Sequence, residues 1–135
     1  EVMASVSLPD AEGWRSAYWK LRRRGAFDFP VAAAAVAARL DGRRVDDVRI
    51  VLGAVASRPL AATKAEALLK GQALDDELIA LAAKTAAEIA KPMDNTDFEL
   101  VWRKKMVHSL VTYALQEVRG DDLRERRVRI ARQIL

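Results

Sequence analysis

Residues 31–56 read VAAAAVAARLDGRRVDDVRIVLGAVA, and the way this stretch folds decides the architecture of the chain. Its first ten residues are mostly alanine, which has the strongest intrinsic preference for helix. The dipeptide Asp41-Gly42 that follows is a hairpin signal, because glycine readily adopts the positive φ that tight hairpin turns need. A turn of that kind wants a strand on each side. The second arm qualifies by itself: Val48, Ile50, Leu52 and Ala54 alternate, which puts them on one face of a strand. Both arms are therefore predicted to be strands, against the alanine propensity. The small side chains then imply close approach of a second layer, the helices, to that face.

Upstream of the hairpin, residues 14–22 carry bulky aromatics suited to a strand, with Gly13 as a break before them and Gly25 interrupting the basic run after them. The opening EVMASVSLP alternates apolar residues and stops at Pro9, so it reads as the last strand of something upstream. The first residue is Glu1 rather than methionine, which suggests a processed chain or a piece of a longer one.

Downstream, the pattern changes to helices. Thr63 with Glu66 has the spacing of a capping box, and Gly71 after Lys70 is the matching stop. Asp75 opens a second helix whose predicted buried stripe is Leu78, Leu81, Ala82 and Ile89, with Pro92 ending it. Thr96 with Glu99 repeats the capping spacing and starts a long helix to Val118, ahead of Gly120. Its apolar residues are Trp102, Met106, Leu110, Ala114 and Val118. Asp122 with Glu125 caps a last, basic helix carrying Leu123, Ile130 and Ile134. Sheet first and helices second is the α+β pattern.

At 135 residues the chain suits one domain with a real core. It has no cysteine, which excludes disulfides, thiolate-bound zinc and iron–sulfur clusters held by this chain, and leaves a lean to the cytoplasm. A single histidine, His108, argues against a His-rich metal site. The apolar runs fall short of the roughly 20 residues that span a membrane, and the first residues lack the basic start of a signal peptide. The net charge of +4 is concentrated in the tail, where residues 119–132 hold six arginines against Asp121, Asp122 and Glu125. A basic tail on a nearly neutral domain is as well explained by solvated charge as by nucleic acid, so nucleic-acid binding is not expected.

No enzyme motif survives inspection, and no catalytic residue is predicted. Ser109 stands beside His108, but adjacent residues on a helix point about 100° apart and cannot pair through spacing alone. The acidic pairs Asp46-Asp47, Asp75-Asp76 and Asp121-Asp122 sit at turns and helix starts, where carboxylates cap N–H groups. The concentrated oddity is residues 14–28. Trp14, Tyr18 and Trp19 are followed by Lys20 and by Arg22, Arg23 and Arg24, with Asp28 beyond. One reading is a strand whose rings pack inward and whose cations reach solvent. The other is an edge facing an anion or cofactor, where cations offset negative charge and rings cover an apolar surface.

Several pieces, in order over about residues 1–120, resemble a known family. They are Leu8-Pro9, AYWK at residues 17–20, Arg24 and Asp28 spaced R-x-x-x-D, IVLGAVASRPL at 50–60, EALLKG at 66–71 and DNTDFELVWRKKM at 94–106. Together they resemble the FAD-binding (medium, flavoprotein) subunits of carbon monoxide dehydrogenase, xanthine dehydrogenase and 4-hydroxybenzoyl-CoA reductase, the molybdenum hydroxylases. The tryptophan before Arg103 departs from the commoner tyrosine of that motif, and resembles the branches acting on aromatic substrates.

The resemblance implies an α+β C-terminal domain with an antiparallel sheet of about three strands packed by about three helices, to which this chain adds a basic C-terminal helix. The implied organisation is a link over residues 1–12, the domain over 13–120 and the tail over 121–135. It implies FAD held mainly by upstream domains of the same subunit. It also implies a partner small subunit with iron–sulfur clusters and a large subunit with molybdopterin, electrons passing through the flavin to an acceptor. Lys20 matches the family's flavin-facing lysine. Arg24 matches the arginine that follows, expected to orient the loop through Asp28, and Trp19 is a candidate to cover flavin surface or to pack in the core. The alternative is a non-catalytic module that docks a protein or nucleic acid through the basic tail.

Overall fold

The computed structural model describes residues 2–8, 10–24, 28–94 and 98–132. These form four strands, β1 (Trp14–Arg22), β2 (Pro30–Asp41), β3 (Arg44–Gly53) and β4 (Leu60–Ala61). Four helices follow, α1 (Thr63–Leu69), α2 (Asp76–Glu88), α3 (Leu100–Arg119) and α4 (Arg124–Arg132). The strands make one antiparallel sheet in the order β1-β2-β3-β4. The α+β expectation holds, with one strand beyond the three expected; β4, at two residues, is too short to show alternation in sequence. Among the described residues no helix is long and apolar enough to cross a membrane.

The alanine segment is a strand. Asp41 pairs with Arg44 across a tight turn, and Gly42 takes a φ of 57° there, the left-handed region that side chains with a Cβ resist. Ala32, Ala34, Val36 and Ala38 are buried beneath the helical layer, as are Val48, Ile50 and Leu52 of β3. α2 presents Ala82, Ala83, Ala86 and Ala87 to the core, and α3 presents Val107, Val111, Ala114 and Leu115. α3 packs on the alanine-rich β2, while the alanines of α2 meet α1 and α3.

Three helix details differ from expectation. The Thr63 capping box does not form: Ala62 is the N-cap, Thr63 the first helical residue, and the Glu66 carboxylate accepts a 2.8 Å hydrogen bond from the Ile50 amide. That amide lies inside the fold, where an unpaired N–H is more costly than one in a solvated first turn. α2 is capped by Asp75 as expected, its side chain accepting from Leu78 N–H at 2.8 Å. Of its expected stripe, Ala82 is buried and Leu78 and Ile89 pack against the core, but Leu81 is 49% exposed and Ile79 is buried in its place. Close helix–helix contact favours the alanine face over the leucine face. α2 also ends at Glu88, ahead of Pro92. α3 begins at Leu100 with Glu99 as N-cap and no side-chain cap bond, and the proposed cap Thr96 lies outside the described residues.

At its other end α3 stops as expected at Gly120, whose φ of 116° lets its N–H bond the Gln116 and Glu117 carbonyls. Residues 2–8 are exposed, and the upstream strand read in them has no strand partner among the described residues; Glu1, Pro9, Gly25 and Ile134 lie outside the described residues.

Candidate functional site

β1 has two unlike faces. Ala17, Trp19 and Leu21 point into the core, and alternation turns Ser16, Tyr18 and Lys20 to the opposite face of the sheet. On that face the register aligns Ser16 with Ala37 and Arg49, Tyr18 with Ala35 and Val51, and Lys20 with Ala33 and Gly53. The centre of each row is an alanine, and along the Ser16 and Tyr18 rows the surface sinks into a shallow trough of about 270 Å³. Tyr18 stays 53% exposed and Val51 37% exposed, an apolar surface of the sheet that the helices leave open. At Gly53 an added Cβ would stand 3.4 Å from the Ala33 Cβ, so this row is flat as well as apolar.

The margin of this face is charged and tied down. Asp47 accepts from Lys70 at 3.0 Å and from Arg49 at 2.8 Å. Lys70 first, then Arg49, holds its carboxyl down at about 2. By alternation Lys20 lies on the same face as Tyr18, on the edge strand β1.

The other two candidates lie elsewhere. Trp19 is 3% exposed, and its indole N–H donates to the Glu117 carboxylate at 2.7 Å. Tyr113 lies 5.2 Å from its ring and the Arg127 guanidinium 4.2 Å above it. The ring is on the core face, opposite Lys20, and packs within the domain. Arg24 lies against Asp28. Its backbone and side-chain N–H groups donate to the Asp28 carboxylate at 3.1 to 3.4 Å, and the same carboxylate accepts from Phe29 N–H at 2.9 Å. The Arg24 hydrogen bond leads the effects that hold that carboxyl below its ordinary range.

Residues 16–118 match the model of the CO dehydrogenase flavoprotein C-terminal domain. The chain belongs to that family. The flavoprotein domain superposes on a CO dehydrogenase chain from Oligotropha carboxidovorans with a TM-score of 0.77 and 30% identity, covering 87% of this chain and 40% of that one. A CO dehydrogenase chain from Hydrogenophaga pseudoflava gives 0.76 and 34%, covering 81% and 38%. The glyceraldehyde dehydrogenase medium chain of Sulfolobus acidocaldarius is 29% identical over 119 residues, 87% of this chain and 42% of that relative. This chain therefore spans about two fifths of the length of the relatives it matches.

Within the flavoprotein domain the residue that sequence reading missed is Arg103, 3% exposed on the buried side of α3. Its guanidinium donates to the carbonyls of Val31 at 3.1 Å, Met93 at 2.7 Å and Ala54 at 2.6 Å. Ala54 is, among the described residues, the non-glycine with positive φ, 62°, so Arg103 holds a strained turn at the end of β3. Burial pushes the guanidinium pKa down, yet it stays charged at any ordinary pH. The signal was available: position 103 is in phase with Val107, Leu110, Ala114 and Val118. His108 is partly buried, its carbonyl accepting from the Thr112 hydroxyl, and no metal-binding cluster of His or carboxylate residues occurs among the described residues.

The basic tail begins beyond the matched residues and folds back on the domain. Arg127 donates to Glu117 and, at 3.2 Å, to the Tyr18 carbonyl on the outer edge of β1. Arg126 stands 4.7 Å over the Tyr113 ring, and Arg124 pairs with Asp122. These contacts are intramolecular. Arg127→Ala is expected to lower stability by about 1 kcal/mol, since the pair with Glu117 is solvent-screened but the cation–π contact is not. Urea unfolding followed by tryptophan fluorescence measures this, and an unchanged midpoint would contradict the latch.

Proposed function

We propose that this chain closes the flavin site of the FAD-carrying subunit of a molybdenum-containing oxidoreductase. In such an assembly electrons pass from iron–sulfur clusters on a small partner subunit, supplied by a molybdopterin subunit, through the flavin to an acceptor. The observation that supports the reading is the open sheet face, where Tyr18 and Lys20 flank a floor of Ala33, Ala35 and Gly53, in a chain of this family.

The residues present fit one side of a planar ring system. The floor of Ala33, Ala35 and Gly53 is apolar, the Tyr18 ring can exclude water from an edge, and Lys20 places a cation in the row of Ala33 and Gly53. FAD, when bound, would supply reversible storage of electrons. The part of Lys20 is electrostatic, because a cation beside a ring system that gains negative charge favours the charged form. Arg24 is scaffold, fixing the loop after β1 through Asp28. The glycines are scattered and build no phosphate cradle, so the pyrophosphate belongs to the upstream domains, with residues 1–12 as the link to them.

The full-length subunit, coexpressed with its neighbours, should purify with the visible absorbance of bound flavin, and this chain alone should be colourless. A full-length subunit that takes up no flavin under any condition contradicts the proposal. Flavin retained by this chain alone contradicts the division of labour between the domains.

A further inference from the structure

The row of the open face that holds Lys20, Ala33 and Gly53 is bordered by irregular backbone on two of its strands. β1 and β2 lose register between Leu21 and Arg22, whose partners are Ala32 and Pro30, so Val31 is the extra residue of a bulge. Val31 precedes Ala33 on β2 with Ala32 between them. On the next strand, Ala54 directly follows Gly53 and takes its positive φ of 62°. A bulged residue leaves the ladder locally unpaired, and a left-handed alanine persists only where its surroundings hold it.

The Arg103 guanidinium meets both irregularities. It donates to the Val31 carbonyl at 3.1 Å and to the Ala54 carbonyl at 2.6 Å, and a 2.7 Å bond to the Met93 carbonyl ties them to the segment before α3. The side chain arrives from the helical layer, because α3 packs on the core face of β1 and β2. It therefore acts from the opposite side of the sheet to Lys20. The row itself has little slack: a Cβ added at Gly53 would stand 3.4 Å from the Ala33 Cβ. Close-packed groups transmit displacement, so a shift of Val31 or Ala54 is passed on to Ala33 and Gly53.

We infer that Arg103 is a positioning residue for the flavin-facing surface, an inference that rests on the flavin reading of this face. By pinning the Val31 bulge and the Ala54 turn it sets the spacing of Ala33 and Gly53, and with it the place of Lys20 in their row. Arg103 makes no contact with the flavin in this account; its effect is carried by backbone.

The midpoint potential of the flavin in the full-length subunit tests this, with Lys20→Ala run in parallel. Arg103→Lys keeps the charge but lacks the planar fork that serves several carbonyls, and should lower the midpoint. A cation drawn back from about 4 to about 5 Å weakens the preference for the reduced form about fourfold near a protein surface, or roughly 18 mV where tenfold is about 30 mV. Ala54→Val is a milder second variant, since a β-branched residue resists positive φ with the arginine left in place, and it should shift the midpoint the same way. Leu115→Ala, buried about 18 Å farther along α3, opens a cavity that costs comparable stability and should leave the midpoint native. Native midpoints in Arg103→Lys and Ala54→Val, with Lys20→Ala lowered, overturn the inference and leave the flavin reading standing. Equal falls in Arg103→Lys and Leu115→Ala overturn it as well, by showing a general loosening of the domain. If Lys20→Ala keeps both the native midpoint and the native flavin affinity, the flavin reading fails and this inference fails with it.

Discussion

Replacing Arg103 with methionine is expected to destabilise the chain by about 3–5 kcal/mol, because three inward carbonyls each lose a charged donor. The carbonyls belong to the start of β2, the turn after β3 and the segment before α3, so a single side chain ties three parts of the backbone together. Methionine keeps much of the volume, which separates the loss of hydrogen bonds from the opening of a cavity. Water can reach the two partly buried carbonyls, and this keeps the expected cost below a simple sum. Single domains are stable by about 5–15 kcal/mol, so the variant should be near the edge of folding. Arg103→Lys keeps the charge but lacks the planar fork that serves three acceptors, and should recover less than half of the loss. Equilibrium urea unfolding with matched slopes measures both, and a loss below about 1 kcal/mol for the methionine variant would refute this role.

Much of the fold could be read from residues with a single physical solution. Asp41-Gly42 forces a reversal, and the β3 alternation of Val48, Ile50 and Leu52 then overrides the helical propensity of the alanine arm. Asp75 and Gly120 mark helix ends through local hydrogen bonds that need no distant partner. What was misread depends on tertiary neighbours. Glu66 serves a strand amide sixteen residues away in place of its own helix start. Which face of α2 is buried follows from how closely α3 approaches, and the alanines of α2 permit that approach.

The candidate site shows the same division. Trp19 draws attention as an aromatic beside a cation, but the parity of β1 decides its fate. Ala17, Trp19 and Leu21 are the apolar set, and Ser16 and Lys20 the polar one, so the indole goes inward. The Arg24 and Asp28 pair was legible because the two residues stand only four positions apart in sequence. What Arg103 grips was not legible, since residues 31, 54 and 93 come together only in the folded chain.

The second large effect concerns Lys20. On the open face it contributes little to the core, so Lys20→Ala should leave the fold of this chain intact. In the full-length subunit the same change removes a cation from the proposed flavin-facing surface. Two unit charges about 4 Å apart interact by roughly 1 kcal/mol in water and about 4 kcal/mol near a protein surface. For a two-electron couple, in which about 30 mV corresponds to 1.4 kcal/mol, this is a change of roughly 20–90 mV. The sign is definite. Without the cation the more negative, reduced form is less favoured, and the midpoint potential falls. Lys20→Arg keeps the charge and should retain most of the native potential.

Potentiometric titration of the flavin in the full-length subunit, native against Lys20→Ala and Lys20→Arg, is therefore the direct test. The midpoint is expected to drop in the alanine variant and to return toward the native value in the arginine variant. Three identical midpoints, with flavin affinity also unchanged, would contradict the assignment of this sheet face to the flavin.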